Sequence, residues 1–189
     1  MTDPAEPPTE APPIGTTRAP SLVLVNTGDG KGKSTAAFGT VIRALARGWK
    51  VAVVQFLKSG DWAVGEEKIA RQLGVDWFAL GDGFTWDSPD LDESQAIAVE
   101  AWRRAKELIQ AGEHRLVVLD EITYPMNWNW ISTEDVVSTI AGRPEDVNII
   151  CTGRDAPDAL IEIAHTVTEM RKVKHAYDQG IMARRGIDY

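Results

Sequence analysis

The run Thr27-Gly28-Asp29-Gly30-Lys31-Gly32-Lys33-Ser34 constrains this chain more than any other stretch. Apolar Leu22-Val23-Leu24-Val25 precedes it, and Ala36-Ala37-Phe38, Val41-Ile42 and Leu45 follow at helical spacing. Strand, tight glycine turn and helix, in that order, make a loop that cradles phosphates. The glycines let the backbone turn its N–H groups inward, and the helix N-terminus adds partial positive charge. Lys33 adds a full charge, and Ser34 offers a hydroxyl to Mg²⁺. The common spacing G-x-x-x-x-G-K-[ST] places glycine where this chain has Thr27, with glycines at 28, 30 and 32 instead. Read only as a glycine-rich turn, the stretch leaves Lys31 and Lys33 without a role. A triphosphate site built on 27–35, Thr35 included, is the expectation.

The chain has 189 residues, 43% of them hydrophobic, enough for one good core and most simply one domain over 21–189. A formal net charge of −8 argues against a nonspecific nucleic-acid binder, which shows a basic face. One cysteine, Cys151, allows neither a disulfide framework nor a thiolate metal cluster. No apolar run approaches the roughly 18–20 residues that span a bilayer, and the N-terminus carries acids and prolines rather than a signal sequence. A cytoplasmic protein without membrane or nucleic-acid partners is expected. Residues 1–20 hold six prolines and three acids, which predicts a disordered arm.

A helix is expected from Lys33 to Arg47, stopped at Gly48. Val51-Ala52-Val53-Val54-Gln55-Phe56 reads as a strand buried on both faces, and 58–62 as a polar loop. A helix over 66–73 and a strand over 75–80 follow. The stretch 81–89 is an irregular loop carrying Phe84 and Trp86, and its acids lack the spacing of a calcium loop. From composition alone those aromatics read more readily as a core plug than as a ligand wall. An amphipathic helix is expected over 93–110. Leu116-Val117-Val118-Leu119-Asp120-Glu121 is an apolar strand ending in two acids, which places a carboxylate beside the Mg²⁺ of a phosphate-loop site. Pro125 predicts an irregular 124–130. Ser132 or Thr133 caps a helix to Ala141, 147–153 is a buried strand with Arg154 leaving its carboxyl end, and Pro157 starts a helix to Ala164. An edge strand over 165–171 and a polar tail complete the chain. His114 reads as solvated, His165 and His175 as structural, and Cys151 as an inert packed thiol.

Apolar strands alternating with helices predict an α/β fold of the P-loop NTPase type, a mostly parallel sheet covered on both faces. Ser34, Glu121, Arg154 and the 81–89 loop all follow strand ends, so they should meet on one rim. This says ATP or GTP with Mg²⁺. The absence of Asn-Lys-x-Asp favours ATP, and a small-molecule kinase, a simple ATPase or a noncatalytic carrier stays open at this level.

Beyond the phosphate loop, several further blocks are diagnostic. They are Val53-Val54-Gln55-Phe56-Leu57-Lys58, Gly83-Phe84-Thr85-Trp86, Val118-Leu119-Asp120-Glu121-Ile122-Thr123-Tyr124, Thr152-Gly153-Arg154, Val173-Lys174-His175-Ala176-Tyr177-Asp178 and Gly186-Ile187-Asp188-Tyr189. With them the chain resembles the bacterial ATP:corrinoid adenosyltransferases of adenosylcobalamin synthesis and corrinoid salvage over 22–189. The loop without its first glycine is that family's own variant. Ser34 stands where some members have threonine, which keeps the hydroxyl, and Lys172 where a proline can occur. The resemblance stops before residue 22, where some relatives carry a basic N-terminal helix that closes over the corrinoid.

The resemblance implies that a Co(I) corrinoid attacks C5′ of ATP and displaces triphosphate. Lys33, Lys31 and the loop N–H groups would then stabilise the leaving group, with Mg²⁺ held by Ser34 and Glu121 and that shell oriented by Asp120. Arg154 becomes a triphosphate contact. Phe84 and Trp86 become the aromatics that exclude an axial ligand from the lower face of the Co(II) corrinoid and so ease its reduction. A homodimer fed by a separate reductase, a flavoprotein, is implied as well.

Overall fold

The structure is a computed structural model that describes residues 17–59, 65–81 and 91–188. Residues 1–16 of the expected arm and 82–90 of the expected aromatic loop, with Phe84 and Trp86, lie outside the described residues.

The strands are β1 (Val23–Thr27), β2 (Val51–Ser59), β3 (Asp76–Gly81), β4 (Leu116–Asp120), β5 (Asn148–Thr152) and β6 (Thr166–Glu169). Among the described residues they form one sheet in the order β3-β2-β4-β5-β1-β6, and every pairing is parallel. The helices are α1 (Lys33–Leu45), α2 (Gly65–Gln72), α3 (Leu91–Ala111), α4 (Thr123–Asn127), α5 (Thr133–Ala141) and α6 (Asp158–Glu162).

Strand side chains alternate between two cores. Val51, Val53, Leu116, Val118 and Ile150 pack with Ala37, Val41 and Ala44 of α1 and Ala70 of α2. Their neighbours Ala52, Val54, Val117, Leu119, Ile149 and Cys151 pack on the other face with α3, α5 and α6. Because both faces are covered, the central strands are mostly apolar, which is why their sequence shows runs rather than alternation. β6 lies at the sheet edge with all four residues exposed, in line with its charged sequence.

Three local expectations change. β2 continues to Ser59, so part of the expected 58–62 loop is strand. The stretch from Thr123 is helical despite Pro125, which sits in the first turn of α4 where its missing N–H has no intrahelical acceptor to lose. His114 is buried, 3% exposed, with Nε2 2.8 Å from Asp76 Oδ2, because the β3 N-terminus lies beside the turn that leads into β4. Ser132 caps α5 as expected, its hydroxyl accepting from the Asp135 N–H at 3.2 Å. His165 accepts from the Val23 N–H at 3.0 Å, tying β6 to β1. Burial pushes the Cys151 thiol up to about 12, so it stays protonated and inert.

Candidate functional site

The carboxyl ends of β4, β5 and β1 lie side by side and deliver the predicted site residues. Thr27 closes β1, 28–32 form the loop, and Lys33 and Ser34 open α1. Lys33 is folded across the loop, its ammonium donating to the carbonyls of Gly28 at 2.8 Å and Gly30 at 2.7 Å. Burial, and then the nearby Arg154 guanidinium, hold its pKa below the ordinary lysine value, while Asp29 and Glu121 pull weakly the other way. Lys33, Arg154, Asp29 and Glu121 therefore share one electrostatic neighbourhood. Arg154 leaves β5 half-exposed, with Nε 3.9 Å from Asp29 Oδ1.

The glycines serve the fold as well as the loop. The chain after β6 runs directly beneath it, the Met170 N–H donating to the Thr27 carbonyl at 2.7 Å and Gly30 N–H to the Met170 carbonyl at 2.5 Å. A Cβ at Gly28 or Gly30 would meet the Met170 oxygen at 2.7 or 2.6 Å, closer than such contacts occur. Gly30 is thus small because a second backbone lies against it, and its N–H is engaged there rather than turned toward the loop interior.

The two acids take different positions. Asp120 is fully buried, Oδ1 accepting from the Thr152 hydroxyl at 2.7 Å and Oδ2 from the Gln55 side-chain amide at 3.0 Å. Gln55 in turn accepts from the Trp77 indole N–H at 3.2 Å. Glu121 follows the strand with φ 65, a conformation uncommon outside glycine, and its N–H donates to Thr152 Oγ1 at 2.9 Å. Thr152 therefore bridges both acids and fixes the turn that carries Glu121 out of the sheet.

Two cavities flank the loop. One of about 310 Å³ is lined by Asp29, Arg154, Lys172, His175, Tyr177 and Asp188. The other, about 510 Å³ and largely apolar, lies between α1 and α2 against Phe38, Ile42, Ile69, Trp77 and Ile187. The tail separates them, and Asp188 pairs with Lys31 at 2.7 Å. Thr35 faces the apolar cavity. Among the described residues no group of three or more His, Cys, Asp or Glu is placed to hold a metal.

Lys33, Ser34, Glu121, Asp120 and Arg154 are thus gathered at neighbouring strand ends as expected from sequence. Gln55, Thr123, Thr152 and Asp188 stand in the diagnostic blocks, but no site role was expected for them. A signal existed for Gln55, a lone polar residue inside an apolar run. For Asp188, nothing in its Gly186-Ile187-Asp188-Tyr189 block names Lys31, 157 positions away, as its partner.

The family model for ATP:corrinoid adenosyltransferase BtuR/CobO/CobP matches residues 19–189. The chain belongs to this family. The corrinoid adenosyltransferase of Escherichia coli K12 is 42% identical over 168 residues, 89% of this chain and 85% of that protein. Corrinoid adenosyltransferase CobA of Salmonella typhimurium is 40% identical over the same shares, and that of Pseudomonas aeruginosa PAO1 42% over 89% of this chain and 83% of its own. Among solved structures, the flagellar accessory protein FlaH of Methanocaldococcus jannaschii matches with a TM-score of 0.51 at 11% identity, covering 82% of this chain and 73% of that one. That likeness concerns the fold alone. Family membership makes the chain an adenosyltransferase that uses ATP to adenosylate a corrinoid. No helix among the described residues is long and apolar enough to cross a membrane.

Proposed function

We propose that the rim formed by 27–35, Glu121 and Arg154 holds the triphosphate of ATP as the leaving group of adenosyl transfer. The observation that carries this reading is the gathering of Lys33 and Arg154 at neighbouring strand ends, where burial and repulsion from the Arg154 guanidinium hold the Lys33 pKa low, while Arg154 and Lys172 line one cavity. A polyanion relieves that repulsion, and binding increases as negative charge accumulates on the departing oxygens. In the step itself an electron pair of the Co(I) corrinoid forms the bond to C5′. The C5′–O bond breaks, and its electrons leave with triphosphate. Lys33, Lys31 and Arg154 stabilise that charge. No general base is required, because no proton moves.

The residues present suit Mg²⁺: a hydroxyl at Ser34 and a carboxylate at Glu121, both hard oxygen donors, and a metal that arrives with phosphates needs only one or two protein ligands. When bound, it neutralises part of the triphosphate charge. Both Asp120 oxygens already accept protein hydrogen bonds, which supports a role in orienting this shell rather than in direct ligation.

Phe84 and Trp86 are assigned to the lower face of the corrinoid, where they exclude an axial ligand and make Co(II) easier to reduce. Electrons come from a separate reductase of the flavoprotein class, and the working unit is a homodimer in the cytoplasm.

The decisive experiment is an anaerobic reaction of ATP, Mg²⁺ and reduced cobalamin, following loss of the Co(I) spectrum and identifying the phosphate product. Adenosylcobalamin and triphosphate should appear in equal amounts; ADP with unaltered cobalamin would return the site to kinase chemistry. In the same assay Trp86→Ala should lose at least about tenfold more activity from Co(II) with a reductase than from chemically prepared Co(I), tenfold corresponding to ~59 mV for one electron. Equal losses would remove the redox role from Trp86.

A further inference from the structure

We infer that Thr123 is a positioning residue for triphosphate binding, acting through the backbone of Arg154. Thr123 opens α4, two residues beyond Glu121, and is fully buried. Its hydroxyl donates to the Arg154 carbonyl at 2.6 Å. One turn later Asn127 donates its side-chain amide to the Asp155 carbonyl at 2.9 Å, with the Arg154 carbonyl at 3.4 Å. On the opposite side the Ala156 N–H donates to Thr27 Oγ1 at 3.1 Å, and the Gly153 N–H to the Asn26 carbonyl at 3.2 Å. The turn 153–156 is therefore clamped between α4, which follows the acid pair, and the end of β1, which leads into the phosphate loop.

An independent observation shows how closely Thr123 and this turn are matched. Gly153 has φ 140, and a Cβ built there would lie 2.0 Å from Thr123 Oγ1 and 3.0 Å from its Cβ. The absence of a side chain at 153 is what lets the hydroxyl reach past it to the next carbonyl. Asp155 also takes a positive φ of 50, so two positions of this turn are held in conformations that L side chains rarely adopt. Such a turn keeps its shape only if neighbours over-determine it. Thr123 supplies the short, part-buried hydrogen bond among those neighbours. A guanidinium on a long side chain, half-exposed, is aimed mainly by its own backbone. Fixing the Arg154 carbonyl therefore lowers the ordering entropy that anion binding would otherwise cost.

This inference rests on the assignment of Arg154 to the triphosphate, so the test separates the two. The probe is inorganic tripolyphosphate, titrated calorimetrically into the full chain as wild type, Arg154→Ala, Thr123→Val, Thr123→Ser and the Thr123→Val/Arg154→Ala double variant. Valine keeps the shape and removes the donor; serine keeps the donor. Loss of one hydrogen bond predicts about three- to tenfold weaker binding for Thr123→Val, with Thr123→Ser within about twofold of wild type. In the Arg154→Ala background Thr123→Val should add no further loss, because the group it positions is gone. If Arg154→Ala binds like wild type, the assignment of Arg154 fails and this inference falls with it. If Arg154→Ala is weak while Thr123→Val is unchanged, or if the two losses simply add, the positioning role alone is overturned. Asn127→Ala, at an exposed site and directed at the same carbonyls, carries the test if Thr123→Val does not fold: a selective loss of tripolyphosphate affinity supports the clamp, and unchanged affinity overturns it.

Discussion

Lys50 at the amino ends of the sheet and Lys33 at its carboxyl ends are held in opposite ways. At the amino ends, Lys50 pairs with Glu113 at 2.9 Å, and His114 with Asp76 at 2.8 Å. Arg115 pairs with Asp146 at 3.4 Å and lies over the Trp49 ring. Lys50 and Arg115 each have an acid there, while Arg143 donates to the Val147 and Ile140 carbonyls. Hydrogen bonding to Glu113 raises the Lys50 pKa, and the same contact lowers that of Glu113. At the carboxyl ends Lys33 is bound by carbonyls rather than by a carboxylate, and burial and Arg154 lower its pKa. At this end too Lys31 pairs with Asp188 at 2.7 Å and Arg154 lies 3.9 Å from Asp29, so the contrast is between Lys50 and Lys33 themselves.

The signs follow. Lys50, with its pKa raised, favours folding below the unfolded value of 10.5, and that contribution fades as pH rises through its folded value. Lys33, with its pKa lowered, disfavours folding while it is charged in both states, and the penalty is relieved as pH rises from its folded pKa toward 10.5. A site that carries such a penalty at neutral pH gives up some stability for affinity.

Lys33→Ala should break the comparison most sharply. Removing one charged partner of a triphosphate predicts about 10- to 100-fold weaker ATP binding, with unchanged or slightly higher thermal stability. Unaltered affinity by calorimetry would mean the phosphates lie elsewhere. At the other end His114→Ala should cost about 1–3 kcal/mol of folding free energy in urea titration, since it removes a buried hydrogen bond and leaves a cavity. The kcat/KM of the folded variant should stay within about twofold; a larger loss would show that the amino ends are coupled to the site. The smallest effect is a proton. Triphosphate should raise the Lys33 pKa, so binding should take up a fraction of a proton as pH rises from the lowered Lys33 pKa toward 10.5, and should weaken over that range. Titrations in buffers of different ionisation enthalpy measure that uptake, and its absence in wild type would remove the electrostatic contrast drawn for Lys33.

Much of the carboxyl end was legible because its chemistry is local. The lysine and hydroxyl of the loop are adjacent in sequence, and a strand ending in Asp120-Glu121 is a short pattern. His114 was misread for the complementary reason. Nothing near it in sequence indicates that Asp76, 38 positions earlier, lies against it, so a polar residue before a strand was read as solvated. Pro125 was misread through its average effect: proline breaks a helix interior, but in a first turn it removes a donor that has no partner there.

By itself the sequence determined the parallel α/β architecture, the phosphate loop and the family, since apolar runs, glycine placement and ordered motifs are properties of consecutive residues. Only the tertiary structure decided which partner each polar group takes. It laid the Met170 backbone against Gly28 and Gly30, tied both Asp120 oxygens to Gln55 and Thr152, and set Thr123 beneath the Arg154 turn. Those contacts join residues on different strands and helices. The order in which strands lie side by side is fixed by packing the whole sheet, which no single segment encodes.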